Sequence, residues 1–179
     1  NTHQVTGYEE GFVNIANQHM QALEASLKYY LPLRRFGRRF ENWGAFDLSV
    51  NYNHYVKNTQ TFLGTTYPEV GSTSSPNDSF TANLNYIRGP LFIQWQTIYY
   101  GPSKFNVTAG EYAETDNNRP DFFYFNTTIG YKITKNFNVN FMMNNVFDAL
   151  PKDVGTVGLA RYYDVILGRA FELQAGVHF

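Results

Sequence analysis

The sequence predicts an all-β chain: an antiparallel, membrane-spanning β-barrel segment of about seven long strands, with short turns at one end and long loops at the other. Three features point to it. Apolar and polar residues alternate with period 2 along most of the 179 residues. The alternating runs extend over roughly 9 to 16 residues, whereas soluble strands run about 5 or 6 and bilayer-crossing strands need about 9 to 11. Brief connections alternate with long ones, the layout of outer-membrane barrels, with short periplasmic turns and long extracellular loops.

The first run sets Leu23, Ala25, Leu27, Tyr29 and Leu31 against Glu24, Ser26 and Lys28. It reads as a strand beside its neighbours, although Gln18 to Tyr30 is also rich in helix formers. A turn, Pro32 to Asn42, follows and carries Arg34, Arg35, Arg38 and Arg39. This cluster is either a solvated turn or one that touches anionic headgroups. Phe46, Leu48, Val50 and Tyr52 make the second strand, and Phe80, Ala82, Leu84 and Tyr86 the third. Only Arg88-Gly-Pro90 separates the latter from Leu91, Ile93, Trp95, Thr97 and Tyr99. The fifth run is Phe123 to Ile133, and after Thr134-Lys-Asn136 comes Phe137, Val139, Phe141 and Met143. Phe171, Leu173, Ala175, Val177 and Phe179 close the chain. The long connections are Leu63–Asp78, Pro102–Pro120 and Ala149–Asp164.

Composition agrees. There are 14 Tyr, 16 Phe and 19 Asn, no Cys, and a net charge of −1. High aromatic content and low charge exclude disorder, and the absence of Cys excludes a disulfide scaffold. The longest strictly apolar run, Phe122–Phe125, is far too short for a spanning helix. A near-neutral chain offers no nucleic-acid surface. Aromatic residues gather at strand ends: Tyr52, Tyr55, Tyr99, Tyr100, Phe122 and Phe123 beside the long loops, and Tyr86, Tyr131, Phe137 and Phe179 beside the short turns. Two such bands are what interfacial girdles require. A soluble β-sandwich is the competing fold and predicts scattered core aromatics instead.

Asn145-Val-Phe-Asp148, then a long loop, Leu167-Gly-Arg-Ala-Phe171 and the closing strand to Phe179, resembles the carboxy-terminal signature of TonB-dependent outer-membrane receptors. Upstream, Asn14-Ile-Ala-Asn17, Ala22-Leu-Glu24 and Tyr29-Tyr-Leu-Pro32 are similar to that family's pattern before a late strand. Gln21-Ala22 departs from it, since the family usually has Gly ahead of a hydrophobic residue and Glu. The resemblance implies a 22-stranded barrel plugged by an amino-terminal domain. Residues 1–179 would then be its C-terminal portion, without the plug and the earlier strands. It implies energy-coupled import of a scarce nutrient, of siderophore, cobalamin or glycan type, across the outer membrane of a Gram-negative bacterium. The implied partners are outer-membrane lipid and lipopolysaccharide, the rest of the barrel and plug, the TonB complex through the plug, and the barrel-assembly machinery. Phe179 would be the assembly signal, with Val177 standing where another aromatic is often found. The alternative is a self-contained eight-stranded outer-membrane barrel with a structural or adhesive role, Val5 to Asn17 supplying the eighth strand.

Candidate ligand contacts are loop aromatics and charges: Tyr67, Glu69, Tyr112, Glu114, Asp116, Arg161 and Tyr162. Rings offer stacking surface and charges orient a polar ligand. His3, His19, His54 and His178 share no metal-ligand spacing, so neither a metal nor another cofactor is expected. No Ser-His-Asp arrangement is anchored locally, and no enzyme activity is expected.

Overall fold

The computed structural model describes residues 16–104, 107–108, 117–150 and 168–178. In chain order its strands are β1 (Ala16–Pro32), β2 (Ala45–Phe62), β3 (Thr65–Pro68), β4 (Asp78–Arg88), β5 (Leu91–Tyr100), β6 (Ser103–Lys104), β7 (Asn118–Arg119), β8 (Phe122–Lys132), β9 (Phe137–Asn144) and β10 (Ala170–Val177). Seven long strands form one antiparallel sheet in the order β1-β2-β4-β5-β8-β9-β10, each beside its sequence neighbour, and β3 pairs with the end of β2. The helix-forming composition of residues 18–30 yields to strand, because β1 pairs with β2 along its whole length. Tertiary pairing overrides a weak local preference. A register shift between Gln21 and Ala22 marks the single irregularity of that pair.

The register lines every strand up face to face. Leu27 stands opposite Val50, Val50 opposite Ala82, Ala82 opposite Thr97, and Thr97 opposite Phe125. One step along each strand the row becomes Lys28, Ser49, Asn83, Gln96 and Asn126. Period 2 thus separates an apolar face from a polar face through the middle of the sheet. The apolar face is exposed even in mid-sheet: Leu84 is 41%, Phe123 41% and Ile129 43% accessible. The buried hydrophobic residues, in contrast, are only Ala45, Phe122 and Tyr124 among those described. No second sheet covers this face among the described residues, so the sandwich reading falls. An apolar surface this extensive needs a cover. Hydrocarbon supplies it, at about 1.5–3 kcal/mol gained per large aliphatic or aromatic side chain. The ten residues of β5, at about 3.3 Å each and tilted about 45°, rise about 23 Å, close to the apolar band of an outer-membrane barrel.

Two expected loops contain strand. Leu63–Asp78 opens with a hairpin in which Phe62 pairs with Thr65 and the two turn residues, Leu63 and Gly64, have φ of 49° and 82°. This is the positive-φ pair that matches strand twist in a two-residue turn. Pro102–Pro120 contains the short β6/β7 ribbon. Ala149–Asp164 lies for the most part outside the described residues.

At the opposite end, Gly89 and Pro90 join β4 to β5, and residues 133–136 join β8 to β9. The β1–β2 connection is longer. It folds as two 3₁₀ turns, Leu33–Phe36 and Arg38–Phe40, closed by the Leu33 N–H donating to the Gly44 carbonyl at 2.9 Å. Gly44 has φ of 84°, and a Cβ there would lie 2.0 Å from the Ile87 carbonyl oxygen, so a side chain is excluded. Tyr86, Tyr131 and Phe137 all lie on the apolar face at this end, as a girdle requires, and the Tyr86 hydroxyl donates to the Trp43 carbonyl at 2.6 Å.

Candidate functional site

The polar face carries a ladder of side-chain amides. Gln96 Nε2 donates to Asn83 Oδ1 at 3.0 Å, and Asn126 Nδ2 donates to Gln96 Oε1 at 2.9 Å. Asn126 Oδ1 in turn accepts the Asn145 N–H at 2.9 Å. Ser26 donates to Asn51 at 2.9 Å between β1 and β2. These pairs form because period 2 brings amides from neighbouring strands directly opposite one another. Asn85 Oδ1, on the same face, is buried without a hydrogen-bond partner among the described residues.

Toward the long-loop end the same face turns aromatic. Tyr100 pairs with Phe122 and Ile98 with Tyr124, so all four side chains face inward. Phe122 and Tyr124 pack 6.0 Å apart by ring centroids, against Ile98, Tyr100 and Ala149. A groove of about 510 Å³ lies beside them, lined by Glu24, Ser26, Asn51, Asn53, Tyr55 and Tyr100, with Tyr52, Phe80 and Tyr99 of the apolar-face rows at its margin. Rings for stacking and amides for hydrogen bonding share one concave surface, the usual make-up of a small-molecule site.

The expected long-loop girdle therefore divides in two. Tyr99 pairs with Phe123 and with Phe80 on the apolar face, with centroids 4.5 and 5.1 Å away. Tyr52 shares that face, its hydroxyl donating to Asp78 Oδ1 at 2.5 Å, and His54 Nδ1 lies 2.8 Å from the same oxygen. Tyr55, Tyr100 and Phe122 leave the girdle, because each sits an odd number of positions from its neighbour on the outer face.

The first two long connections are knitted together beyond the strands. Lys104 N–H donates to the Gly71 carbonyl at 2.7 Å, Thr73 N–H to the Lys104 carbonyl at 3.0 Å, and Gly71 N–H to the Ser75 carbonyl at 2.8 Å. Asn58 Nδ2 reaches Ser75 Oγ at 3.2 Å, and Gln18 Nε2 reaches Asn58 Oδ1 at 2.8 Å. A second groove, about 850 Å³, lies along this junction and is lined by Gly71, Asn77, Ser103, Lys104 and Arg119. The Ser103 hydroxyl is buried there without a hydrogen-bond partner among the described residues.

The residues that the sequence singles out are distributed unevenly over this geometry. Tyr67 sits on β3 opposite Gln60, 44% exposed. Glu69 is half-buried, its N–H donating to the Asn58 carbonyl at 2.8 Å, so it begins the knitted segment. Neither lines the inward groove. Tyr112, Glu114, Asp116, Arg161, Tyr162 and Phe179 lie outside the described residues. Sequence reading overlooked the inward placement of Tyr55, Tyr100, Phe122 and Tyr124, although the parity of each strand marks it. Among the described residues no group of three or more His, Asp or Glu side chains is placed to hold a metal ion.

A protein-family model described as TonB dependent receptor-like, beta-barrel, matches residues 2–146 of the chain. No curated protein and no solved structure matches it.

Proposed function

We propose, from the premise that the chain belongs to the TonB-dependent receptor-like β-barrel family, that it forms part of the wall of an importer that takes up a scarce nutrient under TonB coupling. The family is one of outer-membrane transport receptors of Gram-negative bacteria. One observation carries the reading: the inward face grades from an amide ladder into a groove lined by Tyr55 and Tyr100 beneath the loop end, with Phe122 and Tyr124 packed beside it, while the outward face is predominantly apolar. A wall built in this way presents a ligand-binding mouth to the outside and a polar lining below it.

In this reading residues 1–179 are the C-terminal portion of a larger barrel. β1 and β10 each pair on one side only among the described residues, and an open edge in hydrocarbon leaves backbone groups unsatisfied at several kcal/mol each. Further strands satisfy those edges. A plug in the lumen couples ligand capture to the TonB complex and keeps the barrel from being a passive pore. Lipopolysaccharide around the outer girdle and the barrel-assembly machinery complete the set of partners. Tyr67, Glu69, Tyr112, Glu114, Asp116, Arg161 and Tyr162 are the loop residues proposed to contact the ligand.

Whole-cell accumulation tests this reading. Cells with and without the full receptor are offered a panel of labelled ferric siderophores, cobalamin and oligosaccharides, with and without a protonophore. Receptor-dependent uptake of one class, abolished by the protonophore, is the expected result. Receptor-dependent entry that is insensitive to the protonophore would make the barrel a passive pore.

A further inference from the structure

The short-turn end of the sheet is strongly basic. Arg34, Arg35, Arg38 and Arg39 lie in the β1–β2 connection, and Arg88, Lys132 and Lys135 lie in or beside the other two turns. Those seven are half of the chain's 14 Lys and Arg. Glu41 is the sole acidic residue in the three connections, 33–44, 89–90 and 133–136. The long connections show the opposite balance, with eight acidic and five basic residues over 69–77, 101–121 and 145–169. The charge is therefore sorted along the strand axis while the chain as a whole stays close to neutral.

The arginines are held ready rather than neutralised. All four are exposed, and none makes an ion pair or a side-chain hydrogen bond among the described residues. Their backbone is fixed. Gly37, with φ of 124°, separates the two 3₁₀ turns, and Phe40 and Trp43 N–H groups close successive turns at 3.0 and 3.1 Å. Arg88 Nε donates to the Asn42 carbonyl at 3.0 Å and Tyr86 to the Trp43 carbonyl, tying this connection to the end of β4. Exposed rings sit among the charges: Phe36 is 63% and Trp43 46% accessible. They lie just beyond Tyr86, which with Tyr131 and Phe137 marks the lower edge of the apolar band.

We infer that this turn cluster is a binding surface for the phosphate groups of anionic phospholipid in the periplasmic leaflet. Guanidinium groups take phosphate oxygens in bidentate fashion, and the indole and phenyl rings occupy the boundary between headgroup and acyl chain. The exposed rings select a lipid over an acidic protein segment, because they stand at the depth where a lipid offers both phosphate and chain. The surface is separate from the nutrient-binding end and works whichever nutrient the receptor carries.

The test uses the full receptor in phosphatidylcholine vesicles that contain a minor fraction of spin-labelled lipid. The motionally restricted signal is compared for phosphatidylglycerol and phosphatidylcholine labels. The receptor should prefer the anionic label at least about fivefold, and raised salt should weaken that preference. Combining Arg34→Gln, Arg35→Gln, Arg38→Gln and Arg39→Gln should abolish the preference, while the four Lys replacements should keep most of it. No preference in the native receptor, or an equal one in the Gln variant, overturns the assignment. Should the Gln variant fail to form a heat-modifiable barrel, the native salt titration decides, and a preference unmoved by salt overturns it.

Discussion

Asn145 and Ala149 hold each other from both sides: Asn145 Nδ2 donates to the Ala149 carbonyl at 2.8 Å, and Asn145 Oδ1 accepts the Ala149 N–H at 2.9 Å. Asn145 is 1% exposed and its φ is 52°, a left-handed conformation that Asn tolerates better than most residues. Three residues on, Asp148 Oδ1 accepts the Arg169 N–H at 2.7 Å. The two ends of the last long connection are thereby joined at its base. Gly168 completes the junction, since a Cβ there would come within 2.6 Å of Asp148 Oδ1.

Asn145→Ala should destabilise the folded receptor by about 3 kcal/mol, from two lost hydrogen bonds near 1 kcal/mol each and the left-handed strain of Ala. Asn145→Gly loses the same bonds without the strain and should cost about 1 kcal/mol less. Denaturant unfolding of the full receptor in micelles measures both. Identical losses would remove backbone conformation from the explanation.

Orientation follows from the turn and loop lengths. A cysteine at Ser74, exposed in the first long connection, should react with an impermeant maleimide on intact cells. One at Lys135, in the β8–β9 turn, should react only after the outer membrane is permeabilised. Labelling in the reverse order would invert the topology.

Tyr99 and Tyr100 are adjacent in sequence and face opposite ways. Tyr100→Ala should weaken capture of the transported nutrient about tenfold, the loss of roughly one ring contact, while Phe123→Ala, on the apolar face and outside the groove, should leave capture unchanged. Binding to whole cells of whichever nutrient the uptake panel identifies checks the pair. Equal losses would move the ligand away from the inward face.

Most of the fold was legible because lipid on one side and a polar lining on the other impose a strict alternation. Runs such as Phe80, Ala82, Leu84 and Tyr86 announce themselves for that reason. The rule fades where the environment no longer differs between faces. The outer half of β2, with Asn58, Thr59, Gln60 and Thr61, extends past the hydrocarbon and is polar on both sides. Only its pairing with β1 and β3 makes it strand. The Leu63-Gly64 turn was hidden in an apparent loop because positive φ at Leu is a property of the backbone that composition does not reveal. The inward aromatic cluster was missed for a different reason. Residues 99 and 100, like 122 and 123, are all rings, so residue type masks the change of face that position dictates. The Asn145 lock is local, spanning four residues, yet it depends on a left-handed φ that no periodicity signals.

The most direct test compares two neighbours on β5, Ile93 and Gln94, which the register assigns to lipid and to lumen. Each is replaced by Lys in the full receptor, and the stability of the barrel is measured by denaturant titration. Ile93→Lys should cost about 2–4 kcal/mol and Gln94→Lys less than about 1 kcal/mol, since only the first places a charge in hydrocarbon near the midplane. Equal penalties at the two positions would mean a core dry on both faces and would contradict a membrane-spanning wall.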